Sequence, residues 1–338
     1  RKQKPVFSEK TGFARLASSA LLVALLVSAA HLLFAGALLQ ARGWDASFFH
    51  REAYDGAYFY AIAAEPLNAM SQLDAPAFRY QRILFPLLAR ALGLGNPQAI
   101  SWAMLLLVLM PIGWGTYLLA RLLQEWKVSP WYAAIFGLFI GQFLAIRFDT
   151  SEPLCLLLTL WAIWEMEHKR AERATLVFAL ALLTKEMALP FLAAYLLERL
   201  MKRDGRTALL LAGALMPYGL WQLTLRLWLG NFGFEIQNAA FPLLPFGGYL
   251  ARGFSHGTAL APLMLLAPAT LVIGMCLYRL LRGQRAALTL ALLFNALLVT
   301  QLPVDSAGDM RAIGRLALGF ALAVLLFGAR LHVRRALN

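Results

Sequence analysis

Charge is scarce in this chain, and cysteine scarcer. Only 14% of the 338 residues are Asp, Glu, Lys or Arg, against 60% hydrophobic, and the mean hydropathy of +0.64 is above what a water-soluble fold tolerates. Such a composition excludes an ordinary soluble domain. The two cysteines, Cys155 and Cys276, both lie inside apolar runs, so they offer no disulfide framework, no metal site and no hint of redox compartment. No histidine cluster has zinc-ligand spacing, which leaves no structural metal to expect. The period-two alternation of a membrane barrel is absent, as are a long polar block and a clear internal repeat. What remains is a single integral-membrane domain over residues 1–338, all-α and polytopic, because in lipid only helices and closed barrels satisfy every backbone group. The chain begins at Arg1 rather than at a methionine, so the numbered start need not be the translated one.

Apolar runs predict about ten passes, at 16–39, 99–121, 131–147, 153–166, 174–184, 187–200, 207–228, 258–278, 286–302 and 315–330. Several fall short of the roughly 20 residues a full crossing needs, so their tips must line water or pack on protein. With the N-terminal RKQK placed in the cytoplasm, every second turn is basic, and 20 of the 31 Lys and Arg residues collect on that side. This is the positive-inside pattern, and it makes the net charge of +13 a topology signal rather than a nucleic-acid footprint. Both termini then face the cytoplasm, and the expected location is a bacterial inner membrane. The opposite turns hold 11 of the 18 acids, mixed with arginines and aromatics, as a polar cavity dipping into the outer leaflet would require.

The first outer loop, 40–98, is too long for a turn and carries two amphipathic pieces suited to the interface. One runs from Asp55 to about Ala64 and stops at Glu65-Pro66. The other, AFRYQRILFPLLARAL over 77–92, sets Phe78, Arg82 and Phe85 on one face. Asp55 admits two compatible roles: an N-cap, or a general base for a hydroxyl beside the flat faces of Tyr54, Tyr58 and Tyr60. A second long outer loop, 229–257, is rich in Gly, Pro and Phe and reads as a lid or an interfacial connection.

An early outer loop with an acid in an aromatic setting, YDGAYFYAIA, followed by an arginine-bearing helix, FRYQRILFPLLARAL, resembles the GT-C superfamily. The likeness extends to the outer turns DTSEPL (149–154) and LTKEMALPF (183–191), and is closest to the mannosyltransferases of GPI-anchor assembly and their bacterial relatives. It implies an integral-membrane glycosyltransferase that moves a sugar from a polyprenyl-phosphate carrier to a glycan, lipid or protein acceptor at the extracytoplasmic face, with Asp55 as catalytic base. No Asp-X-Asp pair is present, so the metal-assisted branch of the superfamily fits less well and no cofactor is expected; a loosely held Mg²⁺ or Mn²⁺ at Asp55 with a second carboxylate stays open.

That chemistry needs cations for the departing phosphate, and arginine forks suit its oxygens. The candidates are Arg79 and Arg82, with Arg311 and Arg315 four residues apart on one helical face. Interfacial snorkelling is the structural alternative for the first two, and an ion pair with Asp305 or Asp309 for the second two. Lys185-Glu186 interrupts an apolar run, where ionisable residues are expensive. It reads as a hairpin tip that aims Lys185 at phosphate and Glu186 at a partner such as Arg147, or as a pair that only holds the hairpin. Arg147 and Glu152 are expected to order the cavity, while Asp149 and Ser151 read as helix caps. Two rivals stand beside the enzyme: a secondary transporter or lipid flippase, and a noncatalytic subunit of a glycan-assembly complex.

Overall fold

The computed structural model describes residues 9–51, 54–235, 245–252, 265–307 and 309–336, without the side chains of 9–18, 305 and 332–336. Glu52, much of the 229–257 loop with His256, residues 258–264 of the eighth expected pass and the Asp305 side chain lie outside the described residues. All regular structure among the described residues is helical. Four stretches are long and apolar enough to cross a membrane: Ser19–Ala41, Pro97–Glu125, Gly205–Leu229 and Met310–Leu331. A fifth, Pro130–Gly137 with Ile140–Phe148, qualifies as a pair bent by 44°.

In chain order the helices are α1 (Glu9–Ala41), α2 (Asp55–Ala64), α3 (Pro76–Tyr80), α4 (Leu84–Leu92), α5 (Pro97–Glu125), α6 (Ala133–Gly137), α7 (Ile140–Phe148), α8 (Glu152–Glu167) and α9 (Ala171–Thr184). They continue as α10 (Leu189–Met201), α11 (Gly205–Gly213), α12 (Leu215–Leu229), α13 (Gly247–Arg252), α14 (Ala267–Leu281), α15 (Ala287–Thr300), α16 (Val304–Ala307) and α17 (Met310–Ala336). Against the ten passes expected, four to five crossings among the described residues meet the length and composition needed, and the remaining expected passes coincide with shorter helices. The helices of 13–16 residues, α8, α9 and α10, are about 20–24 Å long, shorter than a bilayer core of about 30 Å.

Local signals account for these boundaries. Asn96 accepts from the amides of Gln98 and Ala99 at 3.0 and 3.1 Å, and Pro97 follows it as a preset first residue, so α5 starts there. The expected helix over 77–92 is instead two. Pro86 cannot donate an amide and its ring crowds the carbonyl of residue 82, so α3 ends at Tyr80 and α4 restarts at Leu84. Phe78 then keeps Arg82 over its ring at 4.6 Å, whereas Phe85 turns into the core against Phe59.

Buried apolar residues from Ala20 to Ala329 form the main core, a second small cluster of Ala61, Ile62, Ala69, Leu73, Tyr80 and Leu225 lies apart from it, and α8 is buried on nearly every side. That explains why α8 shows no polar face in the sequence. Two close crossings set the frame. A Cβ on Gly113 of α5 would strike the Ser28 hydroxyl of α1, and one on Gly141 of α7 would strike the Gly314 carbonyl of α17. Small residues allow such backbone approach between apolar helices. The second crossing fixes the start of α17, and with it the next residue, Arg315.

Candidate functional site

Five separate pieces of chain bring charge to one point. Asp55 is the first residue of α2, and Tyr54, whose side chain makes no capping bond, occupies the cap position. The cap role considered for Asp55 is therefore not the one it adopts. Gly56 lets the start of α2 lie against the α7–α8 turn, since a Cβ there would run into the Phe148 carbonyl. Arg79 and Arg82 come from α3 and the break after it. Asp149 takes a left-handed conformation (φ 52°), turning the chain so that Glu152 opens α8 with Pro153 behind it. Lys185 is extended between α9 and the single 3₁₀ turn Glu186–Ala188.

Asp55 is the centre. Arg79 Nη1 donates to its Oδ1 at 2.5 Å and Arg315 Nη1 to its Oδ2 at 3.1 Å. Arg82 Nη1 and Lys185 Nζ lie 3.6 and 3.9 Å from Oδ2. Around that centre, Glu152 Oε1 accepts from Arg315 at 2.6 Å and from Lys185 at 2.8 Å. Arg82 grips Glu186 with two bonds of 2.5 and 3.0 Å, and Arg79 grips Asp74 with two of 2.8 Å. Arg315 also donates to the Tyr54 hydroxyl at 2.7 Å. Arg79 lies 4.2 Å over the Tyr58 ring, so both tyrosines belong to the cluster.

Not every expected site residue joins it. Tyr60 stacks on His50 at 4.0 Å instead. Arg311 is half exposed, pairs with Asp309 at 2.9 Å and covers the Tyr54 ring from outside, so of the two α17 arginines only Arg315 reaches Asp55. The ion pair expected for these arginines thus holds for Arg311 and not for Arg315. Glu186 finds Arg82 rather than the expected Arg147, which rests on the rings of Phe48 and Phe148 at 4.2 and 5.1 Å. Snorkelling does not describe Arg79 or Arg82, since both guanidinium groups turn inward. Ser151 precedes α8 without a capping bond. Asp149 is fully buried and both of its carboxylate oxygens lack a hydrogen-bond partner.

Electrostatics follow from this geometry. Burial alone would raise the Asp55 carboxyl, but Arg315, Lys185, Arg82 and Arg79 outweigh it and hold the group far below the ordinary carboxylate range. Burial acts unopposed on Asp149 and pushes it well above that range. The four cations Arg79, Arg82, Lys185 and Arg315 face the four acids Asp55, Asp74, Glu152 and Glu186, a balanced set. The inner members are closed off, with Lys185, Arg315 and Arg82 at 2–6% side-chain exposure, while Asp74 and Glu186 form a solvent-facing rim at 49% and 38%.

Beside the rim, a slot of about 280 Å³ lies between α3 and the end of α12, walled by Pro76, Phe78, Trp228 and Leu229. Sequence reading missed two members of this region. Asp74 had been counted only as an outer acid, although its distance of five residues from Arg79 is a usable signal. Gln81, buried and accepting from Tyr218 at 3.1 Å and Gln222 at 3.3 Å, carries no motif and is visible only in three dimensions. No family model, curated protein or solved structure matches the chain.

Proposed function

We propose that the chain is an integral-membrane glycosyltransferase of GT-C type that takes a sugar from a polyprenyl-phosphate carrier, with Asp55 as the base. The observation that carries this reading is the convergence of Arg79, Arg82, Lys185 and Arg315 on the one carboxylate of Asp55. The finer membrane path belongs to the same proposal: about ten passes, with the short helices α8 to α10 ending in a polar pocket at the extracytoplasmic face and both termini in the cytoplasm of a bacterial inner membrane.

In the resting state Asp55 is a poor base, because a carboxylate held by so many cations gives up little of its charge to a proton. Its oxygens occupy the place that phosphate oxygens would take. When the donor arrives, its phosphate competes for the arginine forks, Asp55 loses part of its cationic shell, and its proton affinity rises toward the useful range. The acceptor hydroxyl then gives its proton to Asp55 while its oxygen bonds to the anomeric carbon. The bond from that carbon to the phosphate oxygen breaks, and the electron pair leaves on the polyprenyl phosphate, held by the freed guanidinium groups. Phe78, Trp228 and Leu229 offer the prenyl tail an apolar berth. Base activation is thereby tied to donor occupancy. No bound cofactor is part of the scheme.

The exact charge balance favours one rival, a noncatalytic membrane protein in which the network only locks the loops together. The test is to incubate the purified protein in nanodiscs with a panel of radiolabelled polyprenyl-phosphate sugars and a mixed acceptor fraction. Transfer by the wild type and none by a folded Asp55→Asn variant is the expected result. Absence of turnover with every donor, or turnover that survives Asp55→Asn, removes the assignment.

A further inference from the structure

At the other end of the same helices lies a second built feature. Three rods run from the Asp55 cluster toward it. α8 leads from Glu152 to Glu167, α10 from the Lys185 turn to Met201, and α17 from Arg315 to Arg330; fifteen residues along α8 or α17 is about 22 Å. There a cavity of about 910 Å³ opens among the ends of α8, α10, α14 and α17 and the starts of α9, α11 and α15. That is a volume suited to a ligand of drug or headgroup size.

Its charges are unequal. The acids on its wall are all committed: Glu167 to Arg330 at 3.5 Å, Glu198 to Lys202 at 2.9 Å, and Asp204 to Arg199 at 3.5 Å. Lys169, Arg279 and Arg285 also line it, and no carboxylate pairs with them among the described residues. The Arg279 Nε is buried and lacks an acceptor. Tyr195, 2% exposed, lines the cavity too, and its hydroxyl has no hydrogen-bond partner. A buried hydroxyl and a buried guanidinium nitrogen left unsatisfied on residues lining one cavity are costly unless something polar completes them.

Helix dipoles do not decide the sign of the ligand, because α8, α10 and α14 end here while α9, α11 and α15 begin here. The unpaired cations do. An anionic oxygen is already accepted in this wall, where the first amide of α15, that of Ala287, donates to Glu198 Oε1 at 3.1 Å.

We propose that this cavity is a phosphate-recognising site, distinct from the Asp55 cluster, with Arg279, Arg285 and Lys169 supplying the charge and the Tyr195 hydroxyl a directed bond. Its ligand is a phosphate ester, either a phospholipid headgroup entering from the leaflet or a soluble phosphate compound. Basic pockets between membrane helices hold anionic headgroups by this means. The site stands whether or not the Asp55 cluster transfers a sugar.

The experiment is a native mass spectrometry titration of the detergent-solubilised full chain with phosphatidic acid, with phosphatidylcholine as the control and inorganic pyrophosphate as competitor. The wild type should retain phosphatidic acid over phosphatidylcholine. Arg279→Gln with Arg285→Gln should weaken retention by about tenfold or more, as expected for lost charge-assisted bonds. Tyr195→Phe, which removes an oxygen with no partner in the fold, should weaken it by about tenfold without lowering thermal stability. Phosphate bound at the Asp55 cluster registers equally in wild type and variants, so the difference isolates the cavity. Displacement of the lipid by pyrophosphate with the same dependence on the variants identifies a soluble ligand; persistence of the lipid identifies the headgroup. Equal retention by wild type and both variants, or no preference for phosphatidic acid and no pyrophosphate binding, overturns the proposal.

Discussion

Asp55 and Asp149 are both acids withdrawn from water, and their surroundings drive them in opposite directions. Asp55 is ionised and overdetermined by cations. Removing its charge leaves those cations facing one another in a confined space, so Asp55→Asn should cost about 3–5 kcal/mol of stability as well as sugar transfer. If the carboxylate stands where donor phosphate binds, added polyprenyl phosphate should raise the melting temperature of the variant more than that of the wild type. A thermal shift assay with and without the lipid reads both effects. Asp149 has no hydrogen-bond partner, and burial pushes its carboxyl well above the usual carboxylate range.

The pH dependences of the two differ in sign. A carboxyl lowered by folding contributes stability above its unfolded value of about 3.9 and loses it as the pH falls through the folded value, so Asp55 favours the fold throughout the neutral range. A carboxyl raised by folding contributes stability that is fully present below its unfolded value and is lost as the pH rises through its folded value. Asp149→Asn should therefore leave the protein equally stable near pH 4 and more stable near pH 7, as measured by melting temperature across that interval. Asn also tolerates the left-handed backbone that this position requires.

At the scale of elements, the α7–α17 crossing carries the most consequence. Gly314→Val should force α17 away from Leu144 and Ile140, cost about 1–3 kcal/mol, and weaken donor binding by drawing Arg315 off Asp55 and Glu152. Gly328→Ala, farther along the same helix with open space around it, is the control and should add about 0.5–1 kcal/mol of stability through helix propensity while leaving Arg315 in place, read as a higher melting temperature at an unchanged donor KM.

Much of this level was legible in the chain. The stop of α2 at Glu65-Pro66 and the polar tips of α8 to α10 follow from residues whose local preference and tertiary role agree, whereas Asp55 opens α2 as its first helical residue rather than as its cap. The break between α3 and α4 was present as Pro86 but masked by the continuous apolar period around it. The pairing of Glu186 with Arg82, rather than Arg147, was not legible. Periodicity places a residue on a face but does not say which distant loop arrives there, and both arginines satisfy the same local pattern.

For the molecule as a whole, the two charged ends make opposite predictions about accessibility. With Cys155 and Cys276 buried, single cysteines can be introduced against a quiet background. Substitutions at the exposed positions Asp74 and Asp45 should react with a membrane-impermeant maleimide from outside intact cells, whereas those at Lys202 and Arg206 should react only after the membrane is opened. Labelling of all four from one side would overturn the proposed topology. The alternation of basic turns is the sequence signal on which this proposed polarity rests. The cavity between α8, α10 and α14 was not legible there, since its basic residues read only as a topology signal until the helices were assembled.

The equality of plus and minus at the Asp55 cluster has a kinetic meaning. A set of charges that sums to zero has no net monopole, so its field falls off faster than that of a net charge and steers ions from bulk water only weakly. On the proposed function, a lipid-linked donor would reach that end by two-dimensional diffusion within the bilayer, and its rate of capture should hardly change between low and high ionic strength. The opposite end keeps an uncompensated positive potential that reaches about a Debye length, close to 10 Å in ordinary salt, and there capture should slow as salt is added.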